Sequence, residues 1–118
     1  MPDTADYNIK IEQGSGYEEI FQHLDANGDV VPLTTYTGKC QVRYQDGTLA
    51  CEPTITIYTD TNEWGFKVTS EQTAAIKFNN KVYFDPLLLP FDVLLEQNGY
   101  EPWKAMKGFI ELSPGVTE

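Results

Sequence analysis

A chain of 118 residues has room for one domain around one core, and its 22% charged and 13% aromatic residues, with 9 Gly and 7 Pro, fit a compact, turn-rich β domain rather than a disordered polymer. Eighteen acidic residues against eight basic ones give a formal charge of −10, which excludes the Lys/Arg-rich surface that direct nucleic-acid binding requires; self-repulsion for solubility, or an acidic face meeting a basic partner, accounts for it instead. No apolar run reaches the ~20 residues of a membrane span, and the polar start lacks the basic and apolar regions of a secretory signal, so the expectation is a protein made and kept in a cytoplasm, away from membranes.

Residues 1–6 read as an N-terminal arm, flexible or bound to a partner. Residues 7–11 alternate as a first strand ending at Gln13-Gly14, and residues 17–24 form a second, closed by a turn in which Asn27-Gly28 supplies the positive backbone angles of a tight hairpin. Tyr17, Phe21 and His23 fall on one face of that strand and Ile20 and Leu24 on the other, so the strand is either wholly buried or sticky on its outside. Pro32 marks residues 30–36 as an extended edge or loop. Residues 39–44 are a third strand, turning at Asp46-Gly47 into a short fourth around residues 49–51. Beyond Pro53, Ile55 and Ile57 mark a fifth strand, and Trp64, Phe66 and Val68 a sixth with Trp64 in the core.

Residues 70–76 are the only convincing helical segment, with Ser70 as its cap and Glu71 at the positive end of its dipole. Residues 82–85 read as a further strand, and Pro86 to Pro90 as an apolar run that cannot be a long helix. Residues 91–96 form the next strand, 97–99 a turn, and 103–112 the last long strand. The fold expected is all-β: residues 1–118 as one β-sandwich of about seven or eight strands with one short helix near residues 70–76.

Candidate chemistry is sparse. Asp25, Asn27 and Asp29 begin like a calcium loop, but the sixth and twelfth places hold Val30 and Tyr36, where Gly and Glu are needed. His23 is the single histidine and has no Ser or Cys at motif spacing, which leaves it a structural residue. Glu18 and Glu19 occupy opposite faces of one strand and cannot share acid and base roles. One His and two Cys fall short of a zinc site, and two-residue hairpin pairing sets Cys51 against Val42 rather than Cys40, so both thiols are expected reduced. No phosphate loop or dinucleotide fingerprint occurs, and the chain is read as no enzyme, with no metal and no cofactor. Trp103 and Tyr100 raise a second reading, a stacking platform for host-surface sugar in a carbohydrate-binding module.

Several segments together carry a resemblance. They are Gln13-Gly14 with Tyr17 and Phe21; Asp25-Ala26-Asn27-Gly28; Pro32-Leu33-Thr34 with Tyr36-Thr37; Gln41-Val42-Arg43; Ile55-Thr56-Ile57; the 70–75 helix start; 91–95; and 108–117. In this order and spacing the chain resembles a family of small virion proteins encoded in tail gene clusters of bacteriophages and prophages, similar to the N-terminal domain of siphophage baseplate upper proteins. The resemblance implies an immunoglobulin-like sandwich with a non-enzymatic structural role in tail, neck or baseplate, as part of a homo-oligomeric ring or multimer bound to other virion proteins. It implies a place in the virion, and in the host cytoplasm during assembly. It carries over no catalytic residues, and capsid decoration is the alternative within the same class.

Two departures from that family pattern concern apolar residues. Residues 77–90 are longer than the family's short turn, and Leu87, Leu88 and Leu89 need a cover, either the domain's own open edge or a neighbouring subunit. If Phe91, Val93 and Leu95 point inward, Leu94 points out; if Met106, Gly108, Ile110 and Leu112 are the inner set, Trp103, Ala105 and Phe109 lie outside, unless a bulge of one residue reverses the facing. The candidate protein interface is therefore Ile20, Leu24, Leu87, Leu88, Leu89, Leu94, Trp103 and Phe109.

Overall fold

Residues 4–77 and 86–114 are described by a computed structural model. Among these residues the strands are β1 (Ala5–Asp6), β2 (Ile9–Glu12), β3 (Tyr17–Phe21), β4 (Tyr36–Arg43), β5 (Leu49–Cys51), β6 (Thr54–Tyr58), β7 (Glu63–Val68), β8 (Leu87–Gln97) and β9 (Trp103–Ser113), and the helix α1 (Ser70–Ala74) follows β7. Two sheets result: a six-stranded one in the order β1-β9-β8-β4-β5, with β2 also on β9, and a three-stranded one in the order β3-β7-β6. Both feed one core, in which Trp64 and Phe66 of β7 face Leu89, Phe91, Val93 and Leu95 of β8. The protein is mostly β, two sheets packed face to face as in an all-β sandwich.

Alternation explains most of it. Along β8 the residues Leu89, Phe91, Val93 and Leu95 are buried while their neighbours lie partly or wholly outside. Gly38 on β4 lets the sheets approach, because a Cβ there would run into Ile55 of β6. The Gln13-Gly14 step is a latch onto α1: Gln13 Nε2 donates to the Ile76 carbonyl at 3.1 Å, near the end of the helix. Gly14, at φ +89, donates its N–H to Thr73 Oγ1 at 3.0 Å. Thr73, a polar residue buried in the core, in turn donates to the Ser15 carbonyl at 2.9 Å.

Five expectations change. Ala5–Asp6 pair in parallel with Met106 and Lys107, and Tyr7 N–H donates to the Lys107 carbonyl, so the chain belongs to the sheet from residue 5; of the expected arm, residues 1–3 lie outside the described residues. The helix is capped by Thr69, not Ser70, in a reciprocal capping box with Gln72, and it ends at Ala74. The second strand stops at Phe21, with Leu24 bridging Val30 across the turn. The leucine run between prolines is the first half of β8: Leu89 is buried, Leu87 packs against the core and Leu88 faces out. Pro90 is tolerated there because the β4–β8 ladder ends at Val42–Phe91, one residue short of it. The strand expected over residues 82–85 lies outside the described residues.

The fifth change bears on the surface. Val93 pairs with Met106 and Leu94 with Lys104, which leaves Ala105 as the extra residue of a β-bulge. The phase of β9 reverses at that point. Trp103 and Ala105 face the core before the bulge, and Met106, Ile110 and Leu112 face it afterwards. The outward placement of Trp103 and Ala105 is thereby corrected, and Phe109 alone of that set stays outside.

Candidate interaction surface

The outer face of the six-stranded sheet carries Leu88 and Phe109, 40% and 46% exposed. Phe109 lies opposite Pro90, and Leu88 opposite Glu111. Leu94 is half-buried, with Lys39 on one side and Lys104 on the other, whose methylene stems are long enough to flank it. Ion pairs cross this face at Lys39–Glu96 (3.0 Å), Lys104–Asp92 (3.4 Å) and Lys10–Glu111 (3.9 Å). They are exposed, so each adds little stability; their effect is to make the face mixed in charge on a chain of −10. A hollow of about 430 Å³ opens there, lined among others by Asp6, Arg43, Asp92, Lys107 and Phe109.

The opposite face, on the three-stranded sheet, is built around Gly65. Ile20 of β3 and Thr56 of β6 pair with it from either side. A Cβ on Gly65 would stand 3.1 Å from Tyr58 Cε2, so the tyrosine ring lies over bare backbone. Ile20 and Tyr58 are exposed here, and Leu24 is exposed beside the Asp25–Asp29 turn, where Asp25 Oδ1 accepts from the N–H groups of Asn27 and Asp29. The candidate interface residues thus divide. Ile20 is exposed on one sheet's outer face, Leu24 in the turn beyond it, and Leu88 and Phe109 on the other sheet's outer face; Leu87 and Leu94 are half-buried; Leu89 and Trp103 are inside and leave the list.

Burial of Trp103 also removes the stacking platform, since Tyr100, 67% exposed, has no indole face beside it. Instead Trp103 packs edge-on to His23 at 4.8 Å between ring centroids, while His23 stacks on Trp64 at 6.0 Å. His23 Nε2 and both indole Nε1 atoms are buried without hydrogen-bond partners among the described residues. Desolvation holds the His23 pKa below its ordinary value, so the imidazole is neutral near pH 7.

A second inward cluster went unread in the sequence. Glu19 accepts hydrogen bonds from the hydroxyls of Tyr7 (2.7 Å) and Tyr17 (2.6 Å), tying the segment between β1 and β2 to β3. The bond to Glu19 raises the Tyr7 pKa, and burial first, then the same carboxylate, raises that of Tyr17. The legible signal was Glu19 on the same face as Tyr17 and Phe21; its partner Tyr7 comes from the segment between β1 and β2 and has no sequence mark. Tyr58 is legible in the sequence as the outward residue of a Thr-Ile alternation.

Cys51 lies opposite Val42 as expected, but not by simple two-residue pairing: Arg43 pairs with Leu49, and an irregularity between Val42 and Arg43 leaves Ala50 as an extra residue; both cysteines are free thiols. Burial pushes Cys51 up to about 11 and Cys40 higher still, so neither is a thiolate near neutrality. Among the described residues no three His, Cys, Asp or Glu side chains stand together as metal ligands would. The fold and surface define a small two-sheet β domain with apolar side chains left on both outer faces. No protein-family model matches the chain, and no curated protein matches it in sequence.

Proposed function

We propose that this protein is a structural component of a bacteriophage virion, in the tail, neck or baseplate, built into a multimer and bound to other virion proteins. The finer fold proposed is an immunoglobulin-like sandwich. Lettering β2 to β9 in chain order as A′, B, C, C′, D, E, F and G makes the sheets A′GFCC′ and BED, with A′ parallel to G; this order supports that reading. The segments quoted above support the virion reading.

One observation carries the assembly reading: Ile20 is exposed on the outer face of the three-stranded sheet, with Leu24 exposed in the turn after it, and Leu88 and Phe109 are exposed on the outer face of the six-stranded sheet. A subunit in a ring or stack is contacted from two sides, and exposed large apolar residues are what such contacts use. Imaging a tagged copy on purified particles tests this directly, together with deletion of the protein. Label at symmetric positions on tails, and defective tails without the protein, are expected. Label on heads alone would shift the role to capsid decoration. Particles that lack the protein and assemble normally without it would end the structural reading, and glycan binding by the isolated domain would favour the sugar-binding one.

A further inference from the structure

Among the described residues the two sheets have four edges, and three of them resist pairing with a stranger. β5 has three residues. The β1/β2 edge is broken into two short runs and carries Asp6, Lys10 and Glu12. β3 carries Glu18 and Glu19. Short, charged or interrupted edges are how β proteins avoid joining edge to edge. β6, Thr54-Ile55-Thr56-Ile57-Tyr58, has none of these guards: no charge, no proline, no bulge, and an unbroken five-residue ladder with β7. All five side chains are β-branched or aromatic, the types that favour extended backbone. Among the described residues, no backbone or side-chain group hydrogen-bonds to its free side.

From this edge we propose that β6 pairs antiparallel with β6 of a second copy of the chain, joining two three-stranded sheets into one of six strands. The strand is complementary to itself. Centred on Thr56, antiparallel pairing sets Ile55 against Ile57 of the second copy and Thr54 against Tyr58, and residues directly opposite share a face. Ile55 and Ile57 are half-buried at the rim of the core, and pairing covers each with the other, extending the apolar layer across the junction. A chain of charge −10 disfavours meeting its own copy, and β6 is a strip where two copies meet without apposed charges. Glu52 and Asp60 flank the strand and would face each other beyond it, which confines pairing to the five residues and fixes the register. The contact is isologous, so it closes as a dimer rather than running on as a filament.

The test is sedimentation of the full chain over a range of concentrations and salt. A dimer that tightens as salt screens the net charge is expected. Thr56→Lys sets two ammonium groups opposite each other at the two-fold axis and should weaken the dimer by on the order of tenfold or more. The same substitution lowers the net negative charge, so association driven by general electrostatics would instead strengthen. Phe109→Ser, on the other sheet, should leave the dimer unchanged. Should Thr56→Lys fail to fold, hydrogen exchange of the parent chain gives the answer, with protection of β6 amides rising with concentration. A chain that stays monomeric, a dimer indifferent to Thr56→Lys, or protection confined to β3 would each overturn the proposal. The pairing names an interface for the multimer above but stands on the strand alone. A β6 dimer never found on tails would remove only the virion reading, and a tail subunit monomeric in solution only the pairing.

Discussion

Trp103→Ser and Phe109→Ser separate the two facings of β9. Trp103 is 5% exposed and wedged against His23 and Tyr36, whereas Phe109 is 46% exposed on the outer face. An aromatic side chain buries ~150–250 Å², worth ~4–6 kcal/mol at ~25 cal/mol per Å². Discounting for a denatured chain that is itself partly collapsed leaves ~3–5 kcal/mol, the range measured for large-to-small core changes. That is a large share of the ~5–15 kcal/mol by which domains are stable, and it would lower the melting temperature by roughly 10–25 °C. Phe109 loses about half as much contact area, so on the same scale its cost is about half, ~1.5–2.5 kcal/mol. Urea unfolding followed by far-ultraviolet circular dichroism measures both without relying on tryptophan emission. If Trp103→Ser stays within ~1 kcal/mol of the parent, or Phe109→Ser costs as much as Trp103→Ser, the bulge at Ala105 is wrong and β9 runs in the opposite phase.

Stability should also respond to pH through His23. Its pKa is lowered in the fold, so the unfolded chain binds the proton first as pH falls below about 6.5. Stability is full above that value and declines through the window below it, by at most ~1.4 kcal/mol per pH unit, levelling once the folded form is protonated too. His23→Phe should flatten the slope between about pH 6.5 and 5, above the range where most carboxylates titrate; an unchanged slope would assign it elsewhere. Thr73→Val removes the hydroxyl that accepts from Gly14 N–H and donates to the Ser15 carbonyl at a buried site, and should cost ~1–3 kcal/mol by chemical denaturation. Cys51, its thiol pushed up to about 11, should react with a thiol reagent at pH 8 at least tenfold more slowly in the folded chain than in denaturant.

The outlines of the fold were legible because the strands alternate and the turns carry glycine. β4, β7 and β9 fall where apolar residues recur every second place; Cys51 does meet Val42, but through a longer turn, with Arg43 against Leu49, and a one-residue irregularity that restores the register, neither of which is legible locally. Gln13-Gly14 was visible as a punctuation mark, but its purpose was not, since the helix end and Thr73 that it latches lie some sixty residues away in the chain. The surface was harder to read. Ile20 came out exposed because the Tyr17–Phe21 strand obeys strict alternation; Leu24 is exposed too, but beyond the end of that strand, beside the turn. Leu89 did not come out exposed, because nothing local reveals that Pro90 sits past the end of a neighbouring strand and lets β8 begin before it.

Composition, period and turn residues by themselves determined a small, acidic, two-faced β domain, because those signals are local and each residue votes on its own face. Tertiary structure decided which outward-facing residues are outside. One extra residue at Ala105 turns Trp103 into the core, and its cause lies in the register that β8 and the indole's packing against His23 impose on β9. It also decided that β6 is an edge: the segment Thr54–Tyr58 is ordinary as a sequence, and becomes a surface only because β7 alone stands beside it.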